Sequence, residues 1–231
     1  MEIIKKMPFG SGMGSSAASA AAAAKAVNAL LDGYYTDKEL CRFAMQGERV
    51  ASGGIHGDNV IPSLLGGIIL IRQNEPLDLI QLPVPEDLHI MLIHPDLQIL
   101  TKDARNLLSD HVSMKKMIRQ TANASSFIAG LYSADLDLIS RSLEDHVIEP
   151  QRAKLIPYFD ALKKVAHESG AMNFTISGAG PSMFSFCRSE SIAQQVGKKL
   201  NQFLDNEGVA STVYTSNINT FGTQILEVNN L

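Results

Sequence analysis

Pro8-Phe9-Gly10-Ser11-Gly12-Met13-Gly14-Ser15-Ser16-Ala17-Ala18 sets three glycines at alternate positions, closes on two serines and runs directly into a row of alanines. Glycine reaches backbone angles closed to other residues and lets a ligand come close to the main chain. Alanine is the best helix former, so the loop feeds a helix start, where free N–H groups and the positive end of the helix dipole gather. The stretch reads as a cradle for phosphate. Two common cradles are excluded by its spelling. A Walker A loop ends in Gly-Lys-Ser/Thr, whereas Gly14 is followed by Ser15-Ser16. A dinucleotide fingerprint needs a third glycine where Ser15 stands and an acid at the end of the next strand. Asp32 lies at a suitable distance, but it ends a helix just before Gly33, with no strand between.

Working outward, Ile3 to Met7 reads as a short strand arriving at the loop, and Ser15 or Ser16 as the cap of a helix running to about Leu31. Seven alanines between Ala17 and Ala24 make that helix thin enough for close packing. Thr36 with Glu39 is a capping box, opening a second helix with Leu40, Phe43 and Val50 expected on its buried face. Glu48 falls near the end of that helix, where the dipole disfavours a carboxylate. A glycine-rich loop, Gly53 to Asn59, leads to a buried strand at 67–71 and its hairpin partner at 79–82. Pro83-Val84-Pro85 marks a domain junction. Beyond it the pattern predicts a strand at 88–93, helices at 101–109, 113–131, 135–145 and 152–169, and strands at 172–176 and 183–187 joined by Ser177-Gly178-Ala179-Gly180-Pro181-Ser182. A helix at 189–206 and strands at 211–216 and 223–228 complete it. Strands and helices mix without strict alternation, so the fold class is α+β.

Of the 231 residues 45% are hydrophobic and 19% charged, which argues for a globular chain over a disordered one, and a net charge of −4 provides no basic footprint for nucleic acid. No apolar run reaches the ~20 residues of a membrane span. The two cysteines, Cys41 and Cys187, stand far apart with no CxxC and no secretory signal, which predicts reduced thiols in a cytoplasmic protein. The histidines at 89, 94, 111, 146 and 167 show no metal-ligand spacing.

Pro8 to Ala18 resembles the phosphate-binding motif of the GHMP kinases, and Ser177 to Ser182 resembles the C-terminal glycine motif of the same superfamily, in the expected order. Within the superfamily the spellings His56-Gly57-Asp58-Asn59-Val60, Thr101-Lys102-Asp103-Ala104-Arg105 and Glu149-Pro150-Gln151-Arg152-Ala153-Lys154-Leu155-Ile156-Pro157 are most similar to the homoserine kinases. The resemblance implies a two-domain GHMP kinase fold. An N-terminal ATP-binding domain over 1–86 would carry a left-handed βαβ nucleotide loop, and a ferredoxin-like α/β sandwich would span 87–231. Members of the family begin several tens of residues earlier with a first motif, so the N-terminal domain is expected to be truncated.

The resemblance also implies roles. Pro8, Phe9, Gly10, Ser11, Gly12, Met13, Gly14, Ser15, Ser16, Ala17 and Ala18 would bind ATP, and Ser16 and Glu48 would hold Mg²⁺. His56, Asn59, Thr101, Arg105, Arg152 and Gly178 would bind L-homoserine, with Asn59, Arg105 and Glu48 closest to the chemistry. An arginine suits a carboxylate because its fork makes two parallel bonds. The reaction implied is transfer of the γ-phosphoryl group of ATP to the homoserine hydroxyl, a step of threonine biosynthesis, by a homodimer. Asp58 is expected to be structural rather than a base. A mevalonate-like alcohol is the alternative acceptor, and a non-catalytic nucleotide-binding relative is the alternative from a different class.

Overall fold

The computed structural model describes residues 2–8, 10–52, 57–97, 99, 104 and 106–227. The chain folds as two compact units, and their division does not follow the order of the sequence. One unit comprises Met1–Phe9, Gly14–Val84 and Asn219–Leu231, and the other Gly10–Met13 and Pro85–Ile218. The break at Val84/Pro85 falls in the proline-flanked junction. The last thirteen residues belong with the first unit, and the tip of the glycine loop belongs with the second.

In the first unit, helix α1 (Ser15–Leu30), helix α2 (Asp37–Ser52) and the short helix α3 (Val60–Leu65) pack beside a hairpin of β1 (Ile68–Asn74) and β2 (Leu77–Leu82). Their core is Ala17, Ala21, Leu40, Cys41, Ala44, Met45, Val60, Ile61, Leu64 and Leu77. Small residues let α1 and α2 approach closely: a Cβ placed on Gly47 would lie only 3.3 Å from that of Ala20. Asn28 closes the turn between the two helices, accepting from Tyr35 N–H and donating to Tyr35 O. The Thr36–Glu39 capping box forms, with Glu39 Oε2 2.9 Å from Thr36 N and Glu39 N donating to Thr36 Oγ1.

Several expectations are corrected here. Residues 3–7 make no strand, because nothing among the described residues pairs with them, and Ile4 is 82% exposed. The βαβ unit expected around the loop is therefore not formed among the described residues. The N-cap of α1 is Gly14, with no side-chain cap bond, since both serines are engaged elsewhere. The buried face of α2 runs through Leu40, Cys41, Ala44, Met45 and Glu48, leaving Phe43 half exposed against Tyr35 and Val50 90% exposed. β1 is half-buried rather than buried.

The second unit is built on an antiparallel sheet of β3 (His89–Pro95), β4 (Thr175–Ile176), β5 (Met183–Cys187) and β6 (Ser211–Asn217). Its spatial order, β6-β3-β5-β4, is the 4-1-3-2 arrangement of a split βαββαβ sandwich. β3 lies centrally, with Ile93 opposite Met183 on one side and Val213 on the other. Helices α4 (Met114–Ser133), α5 (Leu136–Ser142), α6 (Glu149–Arg152), α7 (Phe159–Glu168) and α8 (Glu190–Asn206) complete the unit. Met91, Ile93, Met183 and Cys187 meet Phe159, Leu162, Val196 and Leu200 of α7 and α8 in one core. On the other face Phe186 stacks on Phe127 of α4 at 6.5 Å.

The helix expected over 152–169 is split into α6, a 3-10 turn at Ala153–Leu155, and α7. Pro157 explains the break, because it lacks an N–H and pushes Ile156 into the extended region, where φ is −108° and ψ 109°. Residues 107–108 are turn and bend, and residue 109 is irregular, rather than helix. Of the strand expected at 172–176 only Thr175–Ile176 is ladder, while the Asn173 side chain accepts from Phe186 N–H. No strand forms over 223–227. Those residues follow a clasp in which Gly67 N–H donates to Asn219 O, and Thr223 donates to Leu64 O and Ser63 O.

Candidate active site

Gly10, Gly12 and Gly14 all lie in the left-handed region, with φ of 63°, 76° and 73°. For Gly12 the reason is steric as well as conformational. A Cβ there would meet the carbonyl of Ser177 closer than 3.0 Å and the carbonyl of Gly180 at 2.9 Å. The tip of the loop is thus seated main chain to main chain in the turn between β4 and β5. The Ser177 hydroxyl donates to Gly12 O at 2.9 Å, and Ser182 N–H donates to Ser11 O at 3.2 Å. Within the tip, Met13 N–H donates to the hydroxyl of Ser11, which is 2% exposed. The two glycine motifs, more than 160 residues apart in sequence, form one interlocked structure. The room freed by Gly178 is taken by the carbonyl of Gly12, 3.0 Å from where a Cβ would stand, rather than left open to a ligand.

Arg152 reaches the same turn. Its Nη1 donates to Gly178 O at 2.7 Å, and its Nε to Ala104 O at 3.4 Å. Ala104 is the neighbour of Arg105, so the sequence-predicted arginine Arg152 is brought to Gly178 and to the segment holding the other one. His94 of β3 completes this side, with Nδ1 3.0 Å from the fully buried Ser182 hydroxyl. Burial pushes the His94 imidazole below its usual pKa, opposed by Asp96.

In the first unit Gly14 ends the loop and starts α1, so the N–H groups of Ser15, Ser16 and Ala17 have no carbonyl a turn back to bond within the helix. Ser16 turns its hydroxyl to Glu48, donating to Oε1 at 3.0 Å, and Glu48 is only 8% exposed. A carboxylate buried late in α2 thus meets the first turn of α1, which accounts for an acid at a helix end. The pair supplies hard oxygen donors. Magnesium takes one or two carboxylates and completes its shell with phosphate oxygens and water, so the donors fit it. No group of three His, Cys, Asp or Glu suited to holding a metal by itself occurs among the described residues. Asn59 stands against Gly14, its side chain 3.3 Å from where a Gly14 Cβ would be. Lys5 lies across the helix start, with Nζ 3.3 Å from Ser15 O and 3.4 Å from Ser15 Oγ.

The structure therefore joins Ser16 to Glu48, Asn59 to Gly14, and Arg152 to Gly178. Phe9, His56, Thr101 and Arg105 lie outside the described residues. Pro8 and Met13 are half-buried beside the loop, Ala17 is core, and Ala18 N–H donates to Gly14 O in the first α1 turn. Asp58 is exposed. Lys5 and His94 were not singled out by motif. Lys5 is three residues before Pro8 in a segment read as strand, and His94 carries no local signal, since its partner is 88 residues away. A cleft of about 460 Å³ lined by Lys198, Asn201, Gln202, Asp205 and Val213 shares none of these residues.

Comparison with known proteins accords with this arrangement. Residues 1–67 match the GHMP kinases N terminal domain, and residues 127–206 match the GHMP kinases C terminal domain. Homoserine kinase from Chlorobium phaeobacteroides is 43% identical over 98% of this chain and 71% of its own. That from Chlorobium phaeovibrioides is 44% identical over the same shares. The crystal structure of homoserine kinase from Cytophaga hutchinsonii superposes with a TM-score of 0.92 at 45% identity, covering 94% of this chain and 69% of that one. A mevalonate kinase from L. major, in complex with R-mevalonate, has a TM-score of 0.73 at 19% identity over 90% of this chain and 67% of that one, a likeness of fold alone. An interlocked pair of glycine motifs, a serine–glutamate pair at the start of α1 and identity above 40% over nearly all of this chain place it in one family: it belongs to the homoserine kinases, a branch of the GHMP kinases.

Proposed function

We propose that the chain transfers the γ-phosphoryl group of ATP to the hydroxyl of L-homoserine, giving O-phospho-L-homoserine for threonine biosynthesis. The observation that carries the phosphoryl-transfer half is the Ser16–Glu48 pair at the foot of a glycine loop opening onto a helix N-terminus. The acceptor follows from the homoserine kinases that align with 98% of the chain.

Phosphoryl transfer passes through a loose transition state, so positioning and charge neutralisation provide most of the catalysis. Amides of the Gly10–Ser16 loop, apart from Met13 N–H, which donates to Ser11 Oγ, bind the phosphate oxygens, and the α1 dipole favours their charge. Lys5 adds a cation at the same helix start. A cation there opposes the dipole, and a bound polyphosphate offsets both. Ser16 and Glu48 would hold Mg²⁺, which would supply charge neutralisation to the phosphates when bound. Arg152 and Arg105 receive the homoserine carboxylate, with His56, Thr101 and Asn59 lining the rest of the acceptor site. Asp58, which is exposed, is structural rather than a base in this reading, and the hydroxyl proton leaves late to the phosphate.

The protein works in the cytoplasm, which suits its two buried free thiols, and as a homodimer, which the exposed Met114, Met117 and Ile118 on α4 support. Among the described residues no helix is long and apolar enough to cross a membrane. A coupled ADP-release assay tests the function. ADP release dependent on homoserine is expected, with little from mevalonate or from ATP alone. Release with mevalonate and none with homoserine refutes the acceptor, and release with neither refutes the kinase.

A further inference from the structure

Ser182 is the fixed point of the interlocked motifs. Its N–H donates to Ser11 O, and its carbonyl accepts from Ser177 N–H at 2.8 Å, while the Ser177 hydroxyl holds Gly12 O. Both rails that seat the loop tip therefore pass through the turn that Ser182 closes. Its hydroxyl is fully buried and faces one ring, that of His94, at 3.0 Å. Burying two polar groups costs free energy unless they bond each other, and an alanine with an apolar residue would fill the same space without that cost. The imidazole also stands at the C-terminal end of β3, where His94 is paired with Thr212 of β6, so it is carried on the central strand of the sheet.

We propose that His94 is a positioning residue for the nucleotide loop: its ring fixes Ser182, and Ser182 fixes Ser11 and, through Ser177, Gly12. The role rests on the nucleotide function assigned to the loop above, and it adds a residue that touches neither ATP nor homoserine. The order is directional. Restraint passes from β3 through one side-chain hydrogen bond to a glycine-rich segment. A neutral imidazole can serve either as donor or as acceptor to the hydroxyl, and the burial that lowers the His94 pKa keeps it neutral over a wider range.

The test compares His94→Leu, His94→Asn, Ser182→Ala and the double variant in the whole chain, by amide hydrogen exchange without ligand and by ATP titration. Loss of one buried hydrogen bond corresponds to about 5- to 10-fold. His94→Leu is expected to speed exchange at Met13 and Ser182 by about that factor and to weaken ATP by a similar factor, with homoserine binding changed less than twofold. His94→Asn, whose carboxamide reaches the same hydroxyl, is expected to restore both to within about threefold. Ser182→Ala should match His94→Leu, and the double variant should be no worse than either. Unchanged exchange in Ser182→Ala, an Asn variant as impaired as Leu, or additive single effects each overturn the proposal. Ser182→Ala removes one oxygen and keeps the fold, so a misfolded His94→Leu does not decide the matter. Faster exchange in a chain whose wild type binds no ATP upholds the positioning and refutes the nucleotide function.

Discussion

Gly12→Ala separates the two reasons for a glycine in the loop. At φ +76° an added Cβ carries left-handed strain of about 1–2 kcal/mol. It would also be driven into the carbonyls of Ser177 and Gly180 and the N–H of Gly180, which are backbone atoms and cannot swing aside. Overpacking of that kind costs about 1–3 kcal/mol more. The total of about 2–5 kcal/mol corresponds to roughly 30- to several-thousand-fold, at 1.4 kcal/mol per factor of ten. Gly10→Ala is the internal control. It has φ +63° but nothing within 4 Å of the new Cβ, so only the strain applies, about 5- to 30-fold. Titration of both variants with ATP, at fixed Mg²⁺, reads the loop directly and avoids assuming two-state unfolding of a two-unit chain. The ratio of the two losses, about 5- to 150-fold, isolates the clash with the turn between β4 and β5. Equal losses in the two variants, or a Gly12→Ala protein that binds ATP within threefold of the parent, would refute the seating of the loop in that turn.

Glu48→Gln keeps an acceptor for the Ser16 hydroxyl but removes the charge, so the fold should persist. The Mg²⁺ dependence of ATP binding should collapse, with kcat falling about 10²-fold or more; calorimetry showing unaltered Mg²⁺ coupling refutes the metal role. Asp58→Asn should lower kcat by less than about tenfold, and a loss beyond about 10²-fold with unchanged circular dichroism would identify a base. Arg152→Lys, unable to reproduce the fork that holds Gly178 O and Ala104 O, should raise KM for homoserine well beyond KM for ATP; equal rises remove it from the acceptor site. Burial pushes the Cys41 and Cys187 thiols up to about 11, so neither should react with a disulfide reagent at pH 8 until urea is added. Because the folded pKa lies above the unfolded one, their contribution to stability is full below about pH 8.5 and is lost as pH rises through 11. Fast native labelling of either thiol refutes the burial.

What the sequence made legible was local or spelled. The loop, the Thr36 capping box, the β1–β2 hairpin and the Ser189-capped α8 all announce themselves within a few residues, through glycine spacing, caps and alternation. Ser16 with Glu48 was reachable because an acid late in a helix is locally unfavourable and asks for a partner. The misses share one cause, that tertiary pairing decided them. Ile3 to Met7 has strand composition but no ladder to join among the described residues. The inward face of α2 was set by contact with α1, which left Phe43 and Val50 outside. The split at Pro157 was available to a stricter reading, since proline inside a helical pattern ends it. α3 is only six residues long and has no side-chain cap bond to signal its start. The bond from His94 to Ser182 joins β3 to the turn that precedes β5, neighbours in space and far apart in the chain, and no spacing rule encodes it.

The seat of the loop tip in the second unit also bears on how the protein is made. Gly12 leaves the ribosome 165 residues ahead of Ser177, which holds its carbonyl. At about 5–20 residues per second the tip waits roughly 10–30 s for its partner. During that interval the glycine-rich segment must stay open, because any collapse that buried it would have to be undone before the turn could receive it. The loop tip is therefore seated only after the turn between β4 and β5 has been made, although it is translated well before that turn.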